Sequence, residues 1–169
     1  TQAIEKTQLA LQLIEKIGES DILAEIDRNL GIYYLRTCNV GRGRKYFSQA
    51  LEHAGDVGDN EQIAKLYNNL GVVSFITGRF DAAVENFKRS LALKESLGDI
   101  AGIATSYTNL GLFYSTTGVL DSALECYREA LAIARRIGLL EHTAHLYSLI
   151  GSVCWKGADY DQATEHYLL

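Results

Sequence analysis

Apolar residues recur at steps of three and four along the chain. Ala104, Tyr107, Leu110, Gly111 and Tyr114 fall on one face of an α-helix. Gly118 interrupts that face. A second stripe runs through Leu120, Ala123, Leu124, Tyr127, Leu131, Ile133 and Ala134 and stops at Ile137-Gly138, a helix end with glycine just beyond it. The pattern predicts a helix–turn–helix hairpin.

The hairpin recurs every forty residues. Asn29-Leu30-Gly31 returns as Asn69-Leu70-Gly71, as Asn109-Leu110-Gly111, and more weakly as Leu149-Ile150-Gly151. Ala24, Ala64, Ala104 and Ala144 form a column. Tyr67, Tyr107 and Tyr147 form another, with Asp27 as its odd member, and Phe47, Phe87, Tyr127 and Tyr167 a third. Leu51, Leu91 and Leu131 keep step, as do Gly58, Gly98 and Gly138. Gly71 with Ala83, and Gly111 with Ala123, are small enough for the helices of a pair to approach closely. Phe87 and Tyr127 are then expected to fill the gap toward the next pair. A lone hairpin cannot bury its apolar stripe, so the hairpins are expected to stack.

This register gives one domain over residues 1–169. Residues 1–23 read as the second helix of a truncated unit plus a linker. There Ala3, Ala10, Leu11, Leu13 and Ile17 sit in the columns of Ala83, Ser90, Leu91, Leu93 and Leu97. Repeats follow at 24–63, 64–103, 104–143 and, truncated, 144–169. Neither end shows a polar capping helix, and the chain starts at Thr1. The expectation is a piece of a longer solenoid, whose open end helices can drive self-association. The first repeat departs most, with Gly43 in the column of Ala83 and Ala123 and His53 in that of Leu93 and Ile133. It is expected to be looser.

Composition narrows the class further. The chain is 47 % hydrophobic and 22 % charged, the balance of a globular protein rather than a disordered one. It lacks proline, so no helix loses an amide donor to one. No apolar run approaches the ~18 residues of a membrane span, and the N-terminal stretch mixes charge into every turn, unlike a signal peptide. A net charge of −5 speaks against a nucleic-acid partner. Cys38, Cys126 and Cys154 are distant and odd in number. They offer no zinc spacing or disulfide framework, which suits a reducing, cytoplasmic setting.

The Asn-Leu-Gly motif, the Tyr three before its Leu, the glycine at the turn, the Ala after it and the later Phe/Tyr resemble the tetratricopeptide repeat, whose usual period is about 34 residues. The stretch AGIATSYTNLGLFYSTTGVLDSALECYREALAIARRIG is similar to the family's long-repeat branch, which includes Partner of Inscuteable, kinesin light chains and bacterial regulators. The resemblance implies an all-α, right-handed superhelical solenoid of antiparallel helix pairs, with the first helices lining a concave groove. It implies a non-catalytic scaffold that binds a protein or peptide segment, with no cofactor. A peptide-sensing regulatory module and a homotypic assembly module are the alternatives.

Six columns then become candidate groove positions. They are Glu25, Lys65, Thr105 and His145; Arg28, Asn68, Thr108 and Ser148; Asn29, Asn69, Asn109 and Leu149; Ile32, Val72, Leu112 and Ser152; Leu35, Phe75, Ser115 and Trp155; and Arg36, Ile76, Thr116 and Lys156. A carboxamide has two donors and an acceptor, which suits the backbone of an extended peptide. The asparagines could equally bond a neighbouring helix and fix the stacking. Arg28, Arg36, Lys65 and Lys156 against Glu25 leave these columns at +3, which favours an acidic segment. Phe75, Leu112 and Trp155 are candidate apolar anchors, with Phe75 and Trp155 equally readable as packing between repeats, and Ile32 and Val72 complete the peptide-binding positions. The family's chaperone-binding carboxylate clamp is poorly matched: its positions hold Arg28, Ile32, Asn69, Thr105 and Asn109, and only Arg28 and Asn69 fit in kind.

Other chemistry finds little footing. Gly41-Arg42-Gly43 lacks the strand and the Lys-Ser/Thr of a phosphate loop. It reads as the turn of the first repeat. His142 and His145 lack a third metal ligand, and no cysteine has an evident base and orienting group. The expectation is no metal and no catalysis.

Overall fold

The computed structural model describes residues 20–168 together with Lys6. The reading of residues 1–17 as a lone second helix, and of Leu169 as the end of a cut-off one, lies outside them. Among the described residues there are eight helices and no strand: α1 Ser20–Arg36, α2 Val40–Val57, α3 Asn60–Ile76, α4 Phe80–Leu97, α5 Ile100–Thr117, α6 Leu120–Arg136, α7 Leu140–Lys156 and α8 Tyr160–Tyr167. They make four antiparallel hairpins. The first helices begin at residues 20, 60, 100 and 140, one turn ahead of the register read from the alanine column. No described helix is long and apolar enough to cross a membrane.

The turns explain the helix ends. Asn39, Asp59, Asp99 and Asp159 cap the starts of α2, α3, α5 and α8, each side chain accepting the amide three residues on. Between hairpins, Gly58, Gly98 and Gly138 take positive φ of 68–75°, a backbone that glycine adopts without penalty. Within hairpins Cys38 (59°) and Ala158 (62°) take the same conformation, where a Cβ costs about 1 kcal/mol.

The chain divides into two compact units, Thr1–Leu93 and Lys94–Leu169, and the division falls inside α4. In the first, α1 packs on α2 and α2 on α3. Ala24, Phe47, Ala50, Ala54, Leu66 and Val73 form the core. A Cβ on Gly31 would come within 2.5 Å of the Phe47 ring, and one on Gly71 within 2.5 Å of the Phe87 ring. Each aromatic therefore seats on the glycine of its own hairpin. Phe47 also shares a cluster with Leu66 and Val73 of α3, so this column faces the next pair as well. Gly43 sits close against α1. A Cβ there would lie 3.2 Å from the Gly31 carbonyl oxygen, so its absence brings α2 close to the α1 backbone.

The second unit repeats the plan. Its helix α5 packs on α6, α6 on α7 and α7 on α8. The core holds Ala123, Tyr127, Ala130, Ala134, Leu146, Ile150, Val153, Cys154 and Ala163. Tyr127 seats on Gly111, at 2.5 Å from a Cβ there.

Each unit also buries one polar pair where its sister repeats are apolar. In the first, Asp27 Oδ2 lies 3.2 Å from His53 Nδ1. In the second, the buried Lys94 Nζ donates to Ser106 Oγ at 2.9 Å and to the Gly102 carbonyl oxygen at 3.2 Å. Ala54 and Ala134 replace Lys94 in the neighbouring repeats, and Leu66 and Leu146 replace Ser106.

Candidate functional site

The candidate residues all lie on first helices. In the first unit α1 carries Arg28, Asn29, Ile32 and Arg36, and α3 carries Lys65, Asn69, Val72 and Phe75. In the second, α5 carries Asn109 and Leu112, and α7 carries Trp155 and Lys156. Steps of three and four keep Asn29, Ile32 and Arg36, then Lys65, Asn69, Val72 and Phe75, and then Asn109 and Leu112, each near one side of its helix, while Arg28 and the adjacent Trp155 and Lys156 splay about 100° from their neighbours. Asn29 is exposed, while Asn69 and Asn109 are half-buried. Leu112 is 46 % exposed, unusual for a leucine inside a packed array.

The cations are not equivalent. Lys65 is paired with Glu61 one turn earlier on α3, both side chains exposed. Lys156 Nζ donates to Ser115 Oγ at 3.1 Å and to the Ser115 carbonyl oxygen at 3.2 Å. It ties α7 to α5. Thr108 and His142 make a second tie between these helices, Oγ1 to Nε2 at 2.9 Å. Burial, and then the charge of His145, hold His142 below the usual histidine pKa. Arg28 and Arg36 make no ion pair among the described residues, and Arg28 Nε is buried without a hydrogen-bond partner there.

Two aromatic pairs stand at the turns within hairpins. Phe75 meets Phe80 at 6.2 Å between centroids in the first unit. In the second, Trp155 meets Tyr160 edge-on at 4.9 Å, and both stay more than half exposed. Phe80 and Tyr160 were not among the residues picked from sequence. Their signal was the shared five-residue step across the turn.

Among the described residues no three His, Cys, Asp or Glu side chains gather as a metal site would require. Burial pushes the Cys126 thiol up to about 11, with help from Glu125 and Glu129, and also raises Cys154. Neither is an activated nucleophile.

The tetratricopeptide repeat family model matches residues 22–96 and 102–168. No curated protein sequence matches the chain significantly. Among solved structures, BtubC (BKLC) from P. vanneervenii is similar over 98 % of this chain and 72 % of its own, with a TM-score of 0.82 and 21 % identity. The apo form of RapI is similar over 97 % of this chain and 60 % of its own, at 0.87 and 18 %. A STAND protein with a tetratricopeptide repeat sensor, PH0952 from Pyrococcus horikoshii, is similar over 95 % of this chain and 25 % of its own, at 0.80 and 17 %. At these identities the likeness is one of fold: all-α, built from helix pairs. With the matched segments spanning the greater part of the sequence, the chain belongs to the tetratricopeptide repeat family.

Proposed function

We propose that the chain is a non-catalytic module that binds a protein or peptide segment along the first helices of its hairpins. The carrying observation is Asn29, Asn69 and Asn109 at one position of α1, α3 and α5, with Val72 and the exposed Leu112 three residues beyond the last two. Within the first unit the carboxamides of Asn29 and Asn69 can bond a peptide backbone while Val72 takes its side chains, and in the second Asn109 and Leu112 can do the same. Arg28 and Arg36 are the cations left to favour an acidic segment, since Lys65 and Lys156 are engaged within the protein.

The test compares the chain with its Asn69→Ala/Asn109→Ala variant in a pull-down, after circular dichroism shows equal helicity. The expected result is a protein retained by the unmodified chain and lost from the variant. If both retain the same proteins, or the variant melts markedly lower, the asparagines are structural and the reading fails. A regulatory role is the second reading, favoured by the fold shared with a protein described as carrying a repeat sensor. There the bound segment would act on an attached output domain.

A further inference from the structure

The first hairpin holds a cavity that the proposed peptide face does not use. It has a volume of about 250 Å³ and is lined by Tyr34, Arg42, Lys45 and Tyr46. Tyr34 and Tyr46 stack at 5.4 Å with their planes 5° apart, forming a flat aromatic wall. The Arg42 guanidinium lies 5.4 Å from the Tyr34 ring centroid, within cation–π range. Its Nη1 also donates to the Tyr34 hydroxyl at 3.4 Å. That contact holds the guanidinium at the rim and leaves the hydroxyl its own hydrogen to donate.

The stretch of sequence between Asp27 and Glu52 is basic. Residues 28–51 hold five cations (Arg28, Arg36, Arg42, Arg44 and Lys45) and no carboxylate, in a chain whose net charge is −5. Neither Arg42 nor Lys45 forms an ion pair among the described residues. In the third repeat the counterparts of Arg42 and Lys45 are Ser122 and Glu125, and that of Tyr46 is Cys126. Repetition of the fold therefore does not demand this cluster.

We propose that this cavity binds a phosphomonoester. A guanidinium, an ammonium and a phenol hydroxyl present donors of three kinds to a tetrahedral oxyanion. Charge-assisted bonds of this kind are about twice as strong as neutral ones, and the guanidinium is held in advance, which lowers the cost of binding. The volume admits a phosphate with the few atoms that carry it, and the stacked tyrosines would face those atoms.

The experiment is an NMR titration of the 15N-labelled chain with three probes: inorganic phosphate, N-acetyl-phosphotyrosine amide and N-acetyl-phosphoserine amide. N-acetyl-aspartate amide is the carboxylate control. The expected result is saturable shifts in the amides of Asn39–Phe47 with the phosphate probes, and about tenfold weaker binding in Arg42→Gln and in Lys45→Gln. Arg135→Gln on α6 should bind as the parent does. Tighter binding of phosphotyrosine than of inorganic phosphate assigns an aromatic phosphate; equal binding assigns the free anion, and both support the site. No shift in those amides, equal affinity in both glutamine variants, or equal binding of the aspartate probe would overturn it. If Arg42→Gln loses helicity along with its Tyr34 contact, the exposed Lys45 still decides. The outcome is independent of the pull-down, because the two sites share no residue.

Discussion

The Tyr127 hydroxyl is buried and meets no hydrogen-bond partner among the described residues. Burial pushes its pKa up to about 12. A buried donor left unbonded costs about 1–3 kcal/mol, and Phe47 and Phe87 fill the same column without one. Tyr127→Phe is therefore expected to raise stability by about 1 kcal/mol, read as a higher denaturation midpoint at unchanged slope. A lower midpoint would show that the hydroxyl is bonded after all. The cysteines give a second test at this scale. Cys38 is exposed, Cys126 half-buried and Cys154 buried, and the latter two thiols are shifted upward. At pH 8 iodoacetamide should modify Cys38 first, with Cys126 and Cys154 following only as fast as the chain opens. Mass spectrometry showing equal rates would contradict this. Cys154 stands in the column of Tyr34 and Tyr114, and that position alone reads as packing. The sequence could not rank the other two, because exposure and neighbouring glutamates are properties of the folded helices.

At the scale of helices, a buried polar pair joins α4 to α5. Lys94 is long where Ala54 and Ala134 are short, and Ser106 is short where Leu66 and Leu146 are long. The two exchanges compensate in volume and in hydrogen bonding. Lys94→Ala should leave a void beside Ser106, and Ser106→Leu should force a leucine onto a buried ammonium. Together the two changes recreate the Ala/Leu combination of the other repeats. A double-mutant cycle in chemical denaturation should then show coupling of at least about 1 kcal/mol, with the double variant as stable as the parent or more so. Simple additivity would refute the compensation. Asp27 and His53 make the parallel case. Each is legible in the sequence as the odd member of its column, yet they lie on different helices and only the packing shows that they meet. The same limit applies to Lys156, whose partner Ser115 lies on another helix, whereas Lys65 and Glu61 stand one turn apart on α3 and their pairing is legible from spacing.

Within each unit, packing among the described helices is between elements near in sequence, as in a one-dimensional array. Damage should stay local. Gly31→Ala, which drives a Cβ against Phe47, is expected to lower hydrogen-exchange protection in α1, α2 and α3 while α7 and α8 keep theirs. A uniform loss across the chain would mean that all the hairpins open in one step. The forty-residue period made the fold legible because every hairpin solves the same burial problem with the same residues. The binding chemistry was less legible, since a site depends on what differs between repeats. Lys94 carries one consequence beyond stability. Slippage between similar repeats that removed residues 104–143 would keep every helix in phase, yet it would set Lys94 against Leu146 instead of Ser106. That joint favours the present repeat number: an in-frame loss of this hairpin, silent to the periodic pattern, would cost the ammonium its Ser106 bond and press a leucine against it.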